Sequence, residues 1–277
     1  MTSDRDLSQW ERVAKAWGER AVAGQRWAMP VSSWMIEQLH LQPGHDVLEL
    51  AAGPGETGFL AAELIMPGGM LICSDASEAM LEVARSRAAE LALANVEFRR
   101  IELEWIDLPT ATVDAILCRW GVMLSDDPVA SLQEARRVLR PGGRISLAVW
   151  DEPERNPWAT ILGRTVVKLG HTERPEPGAP GMFALAPAAR LQETLEQAGF
   201  LDVVTDRIEL ERSFDGVEGY IEEMRELSPM LGVVLERLVE AQRHEVANEV
   251  AADAAPFQAS DGTLRLPACV LAAAANA

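Results

Sequence analysis

A chain of 277 residues, 48% hydrophobic and 25% charged, carries enough apolar material for one well-buried α/β domain with an appended cap. Its 43 acidic residues outnumber 25 basic ones, giving a formal net charge of −18 with no basic tract. Neutralising a phosphate backbone takes Lys and Arg, so nucleic acid and anionic membranes are poor partners, and a small molecule is the better one.

The N-terminus, MTSDRDLSQWERV, has neither a basic start nor an apolar core, so no secretory signal is expected there. Residues 1–41 read as N-terminal helices: Trp10, Val13, Ala14, Trp17 and Ala21 fall at helical spacing, then Val31, Trp34, Met35, Gln38 and Leu39 in a second segment. Trp10, Trp17, Trp27 and Trp34 are expected in core packing, with cover for a hydrophobic acceptor as the second reading. Pro43-Gly44 breaks the chain before a first strand, Asp46–Leu50. A helix from Glu56 to Met66 is stopped by Pro67-Gly68-Gly69, and Met70–Ser74 is a second strand ending at Asp75. Ser77 caps the next helix, with Met80, Val83, Ala84 and Leu91 on one face. Val96–Phe98 and Val113–Cys118 are strands. Asp127-Pro128 opens a helix that buries Leu132, Ala135 and Leu139 and ends in Arg136, Arg137 and Arg140, which suit its negative end. Arg144–Trp150 is a fifth strand. Strands alternating with helices predict a mainly parallel sheet covered on both faces.

Beyond Trp150 the texture changes. Residues 151–187 are rich in Pro and Gly and read as a helix flanked by a lid-like loop. A helix over 187–198 ends at Gly199, a strand spans 201–210, residues 213–260 are mostly helical, and 263–272 is a last strand. No apolar run approaches the ~20 residues of a membrane span, so a cytoplasmic protein is expected. Cys73, Cys118 and Cys269 are odd in number, widely spaced and each in a strand-like run, which predicts free thiols and no zinc site.

The sharpest feature is Glu49-Leu-Ala51-Ala-Gly53-Pro-Gly55-Glu-Thr-Gly58 between a strand and a helix. Glycines there let the backbone approach a ligand, and the helix start offers free N–H groups. Asp75, about 20 residues on at the end of the second strand, can accept hydrogen bonds from both hydroxyls of a ribose. Gly53, Gly55 and Gly58 also satisfy the G-x-G-x-x-G of a dinucleotide site. Pro54, however, removes a donor from the turn that would cradle a pyrophosphate, and Glu49 sets a carboxylate where two phosphates would lie. Glu49 suits a cation, such as the sulfonium or ammonium of S-adenosylmethionine (SAM). The bland alternative is a tight strand–helix connection with no ligand.

From Asp46 to Trp150 the chain carries, in order, VLELAAGPGETG, LICSDAS, VEFRRIELEWIDLP, VDAILCRWGVML and EARRVLRPGGRISLAVW. In this series it resembles the class I SAM-dependent methyltransferases, most of all the ubiquinone/menaquinone-biosynthesis type (methyltransferase type 11-like). The resemblance implies a Rossmann-like, doubly wound seven-stranded sheet, mainly parallel with an antiparallel last strand, plus helical cap insertions. It implies that Glu49, Ala51 and the Gly53–Gly55 backbone hold the methionine part of SAM, that Asp75 binds ribose, and that Ala76 and Met80 lie against adenine. Glu102 and Leu103 stand where that family has Asp and a small residue at the adenine amino group, and Cys118 and Arg119 would approach SAM largely through their backbone. The expectation is a single methyltransferase domain: N-terminal helices 1–45, SAM-binding core 46–150, lid 151–187, core 188–212, helical cap 213–260, and last strand and tail 261–277.

Methyl transfer from a sulfonium is an in-line displacement in which alignment supplies much of the acceleration, so a general base is needed only for a weakly acidic acceptor. Among the four histidines, His40, His45 and His244 read as structural or solvated, and His171 at the start of the lid is the one nominated. No acidic residues are placed as a metal site. The function expected is methylation of a small-molecule acceptor on O, N or C, and a homodimer is compatible with it. The alternatives are a SAM-binding enzyme catalysing a cyclisation or decarboxylation, and a non-catalytic SAM-binding protein.

Overall fold

A computed structural model of the chain describes residues 4–174 and 179–277; of the expected lid, Pro175, Pro177 and Gly178 lie outside the described residues. In chain order the elements are α1 (Asp4–Leu39), β1 (Asp46–Glu49), α2 (Glu56–Leu64), β2 (Met70–Asp75), α3 (Glu78–Glu90), β3 (Val96–Arg100), β4 (Val113–Arg119), α4 (Pro128–Val138) and β5 (Leu139–Trp150). They continue as α5 (Pro157–Lys168), α6 (Ala188–Gln197), β6 (Leu201–Phe214), α7 (Gly216–Leu227), α8 (Pro229–Glu236), α9 (Glu240–Ala254) and β7 (Leu264–Asn276).

The strands form one seven-stranded sheet in the order β3-β2-β1-β4-β5-β7-β6. The ladders joining β1 to β2, β2 to β3, β1 to β4 and β4 to β5 are parallel, and β7 runs antiparallel to β5 from Arg144 opposite Asn276 to Trp150 opposite Val270. Strand order reverses between β1 and β4, the place where open α/β sheets bind ligands at the carboxyl ends of their strands. The sheet centre is apolar on both faces: Val47, Leu48, Leu71, Ile116, Leu117, Ile145 and Leu147 are all buried.

Several boundaries differ from expectation, among them the strands expected over 201–210 and 263–272, which run Leu201–Phe214 and Leu264–Asn276, and two of the differences have a plain physical reason. Residues expected as separate N-terminal helices form one helix of 36 residues that passes through Pro30. The buried stripe of Val13, Ala14, Ala21, Ala28, Val31, Met35 and Leu39 is continuous on both sides of the proline, so packing outweighs its missing hydrogen bond. Leu139 leaves α4 in extended conformation and starts β5, which shifts register between Val113 and Ala115 to absorb Pro141-Gly142-Gly143. Arg140 therefore does not serve a helix end: its guanidinium joins Asp114 at 2.5 Å and Asp46 at 3.0 Å, pinning the starts of β4 and β1. The helical segment 213–260 is three helices. Val239 is 63% exposed at the start of α9, while Val246 and Val250 are buried and His244 faces outward.

Chain contacts divide the molecule into two compact units, residues 1–151, 180–208 and 270–277 against 152–179 and 209–269. The first holds the sheet centre and α1 to α4. The second is organised around Asn156, whose amide accepts from Cys269 N–H (2.9 Å) and Trp158 Nε1 (3.2 Å) and donates to the Cys269 carbonyl (3.1 Å). Tyr220 is buried there too; its hydroxyl donates to the Trp158 carbonyl at 2.7 Å and accepts from Leu162 N–H at 3.2 Å. All three cysteines are buried thiols, and among the described residues no helix is long and apolar enough to cross a membrane.

Candidate active site

The turn after β1 is where the chain's special backbone concentrates. Ala51, Gly53 and Gly55 all have positive φ, and hydrogen bonds fix the path: Leu50 N–H to Leu117 carbonyl at 2.8 Å, and Ala52 N–H to Ser74 carbonyl at 2.8 Å. Asp75 completes it from β2, accepting Gly53 N–H on one carboxylate oxygen and Ser77 N–H on the other, both at 2.9 Å. Burial raises the Asp75 pKa, against the pull of those backbone N–H groups. Each of its oxygens keeps a second lone pair for a ligand hydroxyl. Ser77 also caps α3, accepting from Met80 N–H at 3.3 Å as expected.

Glu49 ends β1 with its side chain 3% exposed. One oxygen accepts Gly58 N–H at 2.7 Å, and Gly58 has to be glycine because a Cβ there would run into this carboxylate. The other oxygen, Oε2, is buried with no partner among the described residues. Desolvation pushes the Glu49 pKa up to about 8; the Gly58 N–H and Arg119 pull it down, while Glu56 and Asp75 add to the rise. An unpartnered buried carboxylate oxygen fits an ammonium, which would supply both the missing donor and the missing charge.

Arg119, at the end of β4, forms a buried ion pair with Glu56 at the start of α2, and its guanidinium carbon lies 4.4 Å from the Trp120 ring centre. Its side chain is therefore engaged within the protein, while the expected approach to SAM was largely through its backbone. Cys118 beside it is buried, and desolvation pushes its thiol up to about 12, so it is neither a nucleophile nor an acid–base group at neutral pH. Ser32 of α1 and Thr57 of α2 share a buried hydroxyl–hydroxyl bond of 3.0 Å.

The structure thus gathers Glu49, Ala51, Gly53, Gly55, Asp75, Cys118 and Arg119 around the carboxyl ends of β1, β2 and β4. Ile101 N–H reaches the Asp75 carbonyl at 3.2 Å, which brings Glu102 and Leu103 to the same edge beyond β3; the Glu102 carbonyl accepts Trp105 N–H at 3.2 Å. Ala76 is half-buried and its carbonyl accepts from Arg100 Nε at 3.0 Å, whereas Met80 is buried in a cluster with Val13 and Ala14 of α1, against Trp10 and Trp17. His171 belongs to the second unit, half-buried, with its backbone N–H on the Val166 carbonyl at 2.9 Å and Nε2 buried without a partner among the described residues. Sequence reasoning missed Glu56 and Trp120. The signal for both was Arg119-Trp120-Gly121 directly after a buried strand, with a carboxylate opening the facing helix.

Residues 41–167 match the family model described as a methyltransferase domain. The ubiquinone/menaquinone biosynthesis C-methyltransferase UbiE of Cellvibrio japonicus is 31% identical over 119 residues, which are 43% of this chain and 48% of that one. The chain thus spans about half the length of that curated relative. Among solved structures, a putative methyltransferase from Bacillus halodurans superposes with a TM-score of 0.61 at 16% identity, covering 88% of this chain and 97% of the other. The [4+2]-cyclase SpnF superposes at 0.54 with 18% identity, covering 89% and 79%, so the fold by itself does not fix a reaction. Sequence, fold and the ordered turn agree: residues 41–167 match a methyltransferase domain, and over that stretch the chain resembles the SAM-dependent ubiquinone/menaquinone C-methyltransferases.

Proposed function

We propose that the chain methylates a small-molecule acceptor from SAM, as one methyltransferase domain whose second unit is its acceptor-specific part. The observation that carries this is the buried, unpartnered Oε2 of Glu49 beside a glycine turn that Asp75 pins in place. SAM, when bound, supplies a methyl group on a sulfonium, which is already a good leaving group. Glu49 would hold its ammonium, the Gly53–Gly55 backbone its amino-acid chain and Asp75 its ribose hydroxyls, with Ala76, Met80, Glu102 and Leu103 around adenine and Cys118 beneath. Pro54 argues against a pyrophosphate in the same turn: it has no N–H, and its carbonyl is already taken by Arg87 Nη1 at 2.6 Å. The protein's work is then alignment, with His171 as the proposed proton acceptor where the acceptor must be deprotonated. A cytoplasmic small-molecule acceptor, on O, N or C, completes the reading.

Calorimetry with SAM and NAD, followed by methyl-labelled SAM and an acceptor library, tests the proposal. Micromolar SAM binding, no NAD binding and label in an acceptor are the expected results. NAD binding tighter than SAM would overturn the cofactor, and SAM binding with no label in any acceptor would favour a cyclase or a non-catalytic binder.

A further inference from the structure

Three tryptophans far apart in sequence meet in the first unit. Trp27 of α1 lies 5.3 Å from Trp120 and 6.2 Å from Trp150 between ring centres, Trp120 lies 4.7 Å from Trp150, and no interplanar angle exceeds 20°. Trp150 is buried, while Trp27 and Trp120 are half-buried. Trp120 has a φ of +60, an expensive conformation for a bulky residue, and is held in it by its N–H on the Ala148 carbonyl at 2.7 Å. The next residue presses the cluster against the glycine turn: a Cβ on Gly121 would come within 2.5 Å of Ala51 Cβ and 2.8 Å of Cys118 Sγ.

Beside these rings are two buried donors with no acceptor among the described residues. Arg119 gives one arm to Glu56, but its Nη1 has no partner among the described residues, although the side chain is only 9% exposed. Trp120 Nε1 is likewise buried without a partner, on the ring that the guanidinium overlies. A cluster built only for packing would hold apolar edges here, because buried N–H groups cost free energy until they are paired.

We propose that Arg119 and Trp120 form an oxyanion-binding subsite for a planar, conjugated acceptor whose flat body lies against the tryptophan cluster. The inference rests on the methyl-transfer reading above and adds the substrate class. A carboxylate fits best, since its two oxygens can each accept from one of the two donors. Glu56 already shares the Arg119 charge, so hydrogen bonds rather than net charge hold the anion, and the sulfonium of bound SAM adds the favourable field. The same oxyanion chemistry could come from the amino-acid end of SAM, and the variants below separate the two sources.

The experiment is calorimetry on the full chain, first with S-adenosylhomocysteine, then on that complex with 2-naphthoate, naphthalene-2-methanol and cyclohexanecarboxylate. The expected order puts 2-naphthoate about tenfold or more ahead of both the neutral and the non-planar analogue. Trp120→Phe keeps a ring but removes the N–H; it should weaken 2-naphthoate about tenfold while S-adenosylhomocysteine stays within about twofold. Arg119→Lys, whose ammonium cannot serve Glu56 and an anion in the same fork geometry, should weaken 2-naphthoate at least as much and carries the test if Trp120→Phe does not fold. Equal binding of the three probes overturns the proposal. So does a Trp120→Phe loss confined to S-adenosylhomocysteine, which would assign the oxyanion to SAM. Absence of S-adenosylhomocysteine binding in the first titration would instead overturn the methyl-transfer reading on which it rests.

Discussion

Glu49 behaves as two residues depending on what faces it. In the free protein its pKa lies near 8 because burial disfavours charge, against an ordinary value of 4.5 in an unfolded chain. Between those values the folded form holds a proton that the unfolded form has lost. Stability of the free protein therefore falls as pH rises from about 4.5 to about 8, with no further change from this group above that. With the ammonium of SAM against Glu49, as proposed, binding favours the ionised form and should release a proton, and the Kd should fall by up to about tenfold for each unit that pH rises toward about 8. Calorimetry in buffers of different ionisation enthalpy measures that proton, and Glu49→Gln should abolish both the release and the pH slope. Asp75 gives a second test: Asp75→Ala should weaken SAM by about 1.5–3 kcal/mol, the range for hydrogen bonds to a charged group. The two N–H groups it leaves on Gly53 and Ser77 should also lower the melting temperature, and unchanged SAM affinity in a folded variant would remove Asp75 from the ribose.

At the scale of elements, legibility tracked distance along the chain. The glycine turn, the Ser77 cap and the Asp127-Pro128 start were readable because each is a local pattern, and the structure gives Ala130 N–H on Asp127 at 3.0 Å. The path of α1 through Pro30 was not, because what carries the helix is its burial against α2, α3 and β5, far along the chain. The beginning of β5 was hidden for a similar reason: Leu139 looks like a last helical residue until Val113 takes it into the sheet. Arg119 with Glu56, and Trp27 with Trp120 and Trp150, join positions that no local window contains. In the second unit Asn156 is the corresponding long-range tie, joining the start of α5 to β7 across 113 residues. Asn156→Ala should cost about 2–4 kcal/mol in chemical denaturation, since it strips partners from the Cys269 N–H and carbonyl in a buried place. A loss under about 1 kcal/mol would mean that water replaces the amide.

For the whole molecule, the two units differ in the sequence patterns they carry. The SAM signature lies within residues 46–150, and the second unit carries none of it. His171→Ala should lower turnover only modestly and leave SAM affinity within about tenfold, roughly 1.4 kcal/mol. Loss of SAM binding with unchanged acceptor saturation would show that this segment serves the cofactor. SAM at a hundred times its Kd should stabilise the folded protein by about 2.7 kcal/mol, visible as a higher melting temperature. At a fixed SAM concentration the gain should be larger at pH 8 than at pH 6, because Glu49 is more readily ionised there and the Kd is lower.

The stacked indoles also have an optical consequence. Three of the chain's eight tryptophans lie with ring centres between 4.7 and 6.2 Å apart, close enough for their electronic transitions to couple. Coupled chromophores in a fixed chiral arrangement split their absorption into bands of opposite rotational strength, so the folded protein should show a two-signed circular dichroism couplet in the indole region. Trp150→Phe should shrink the couplet to what the Trp27–Trp120 pair contributes, whereas Trp105→Phe, which changes a ring 73% exposed outside the stack, should leave it intact. A flat ligand sliding against the rings would change their mutual angles, and with them the couplet's amplitude. The protein would then report occupancy of its own site without a label.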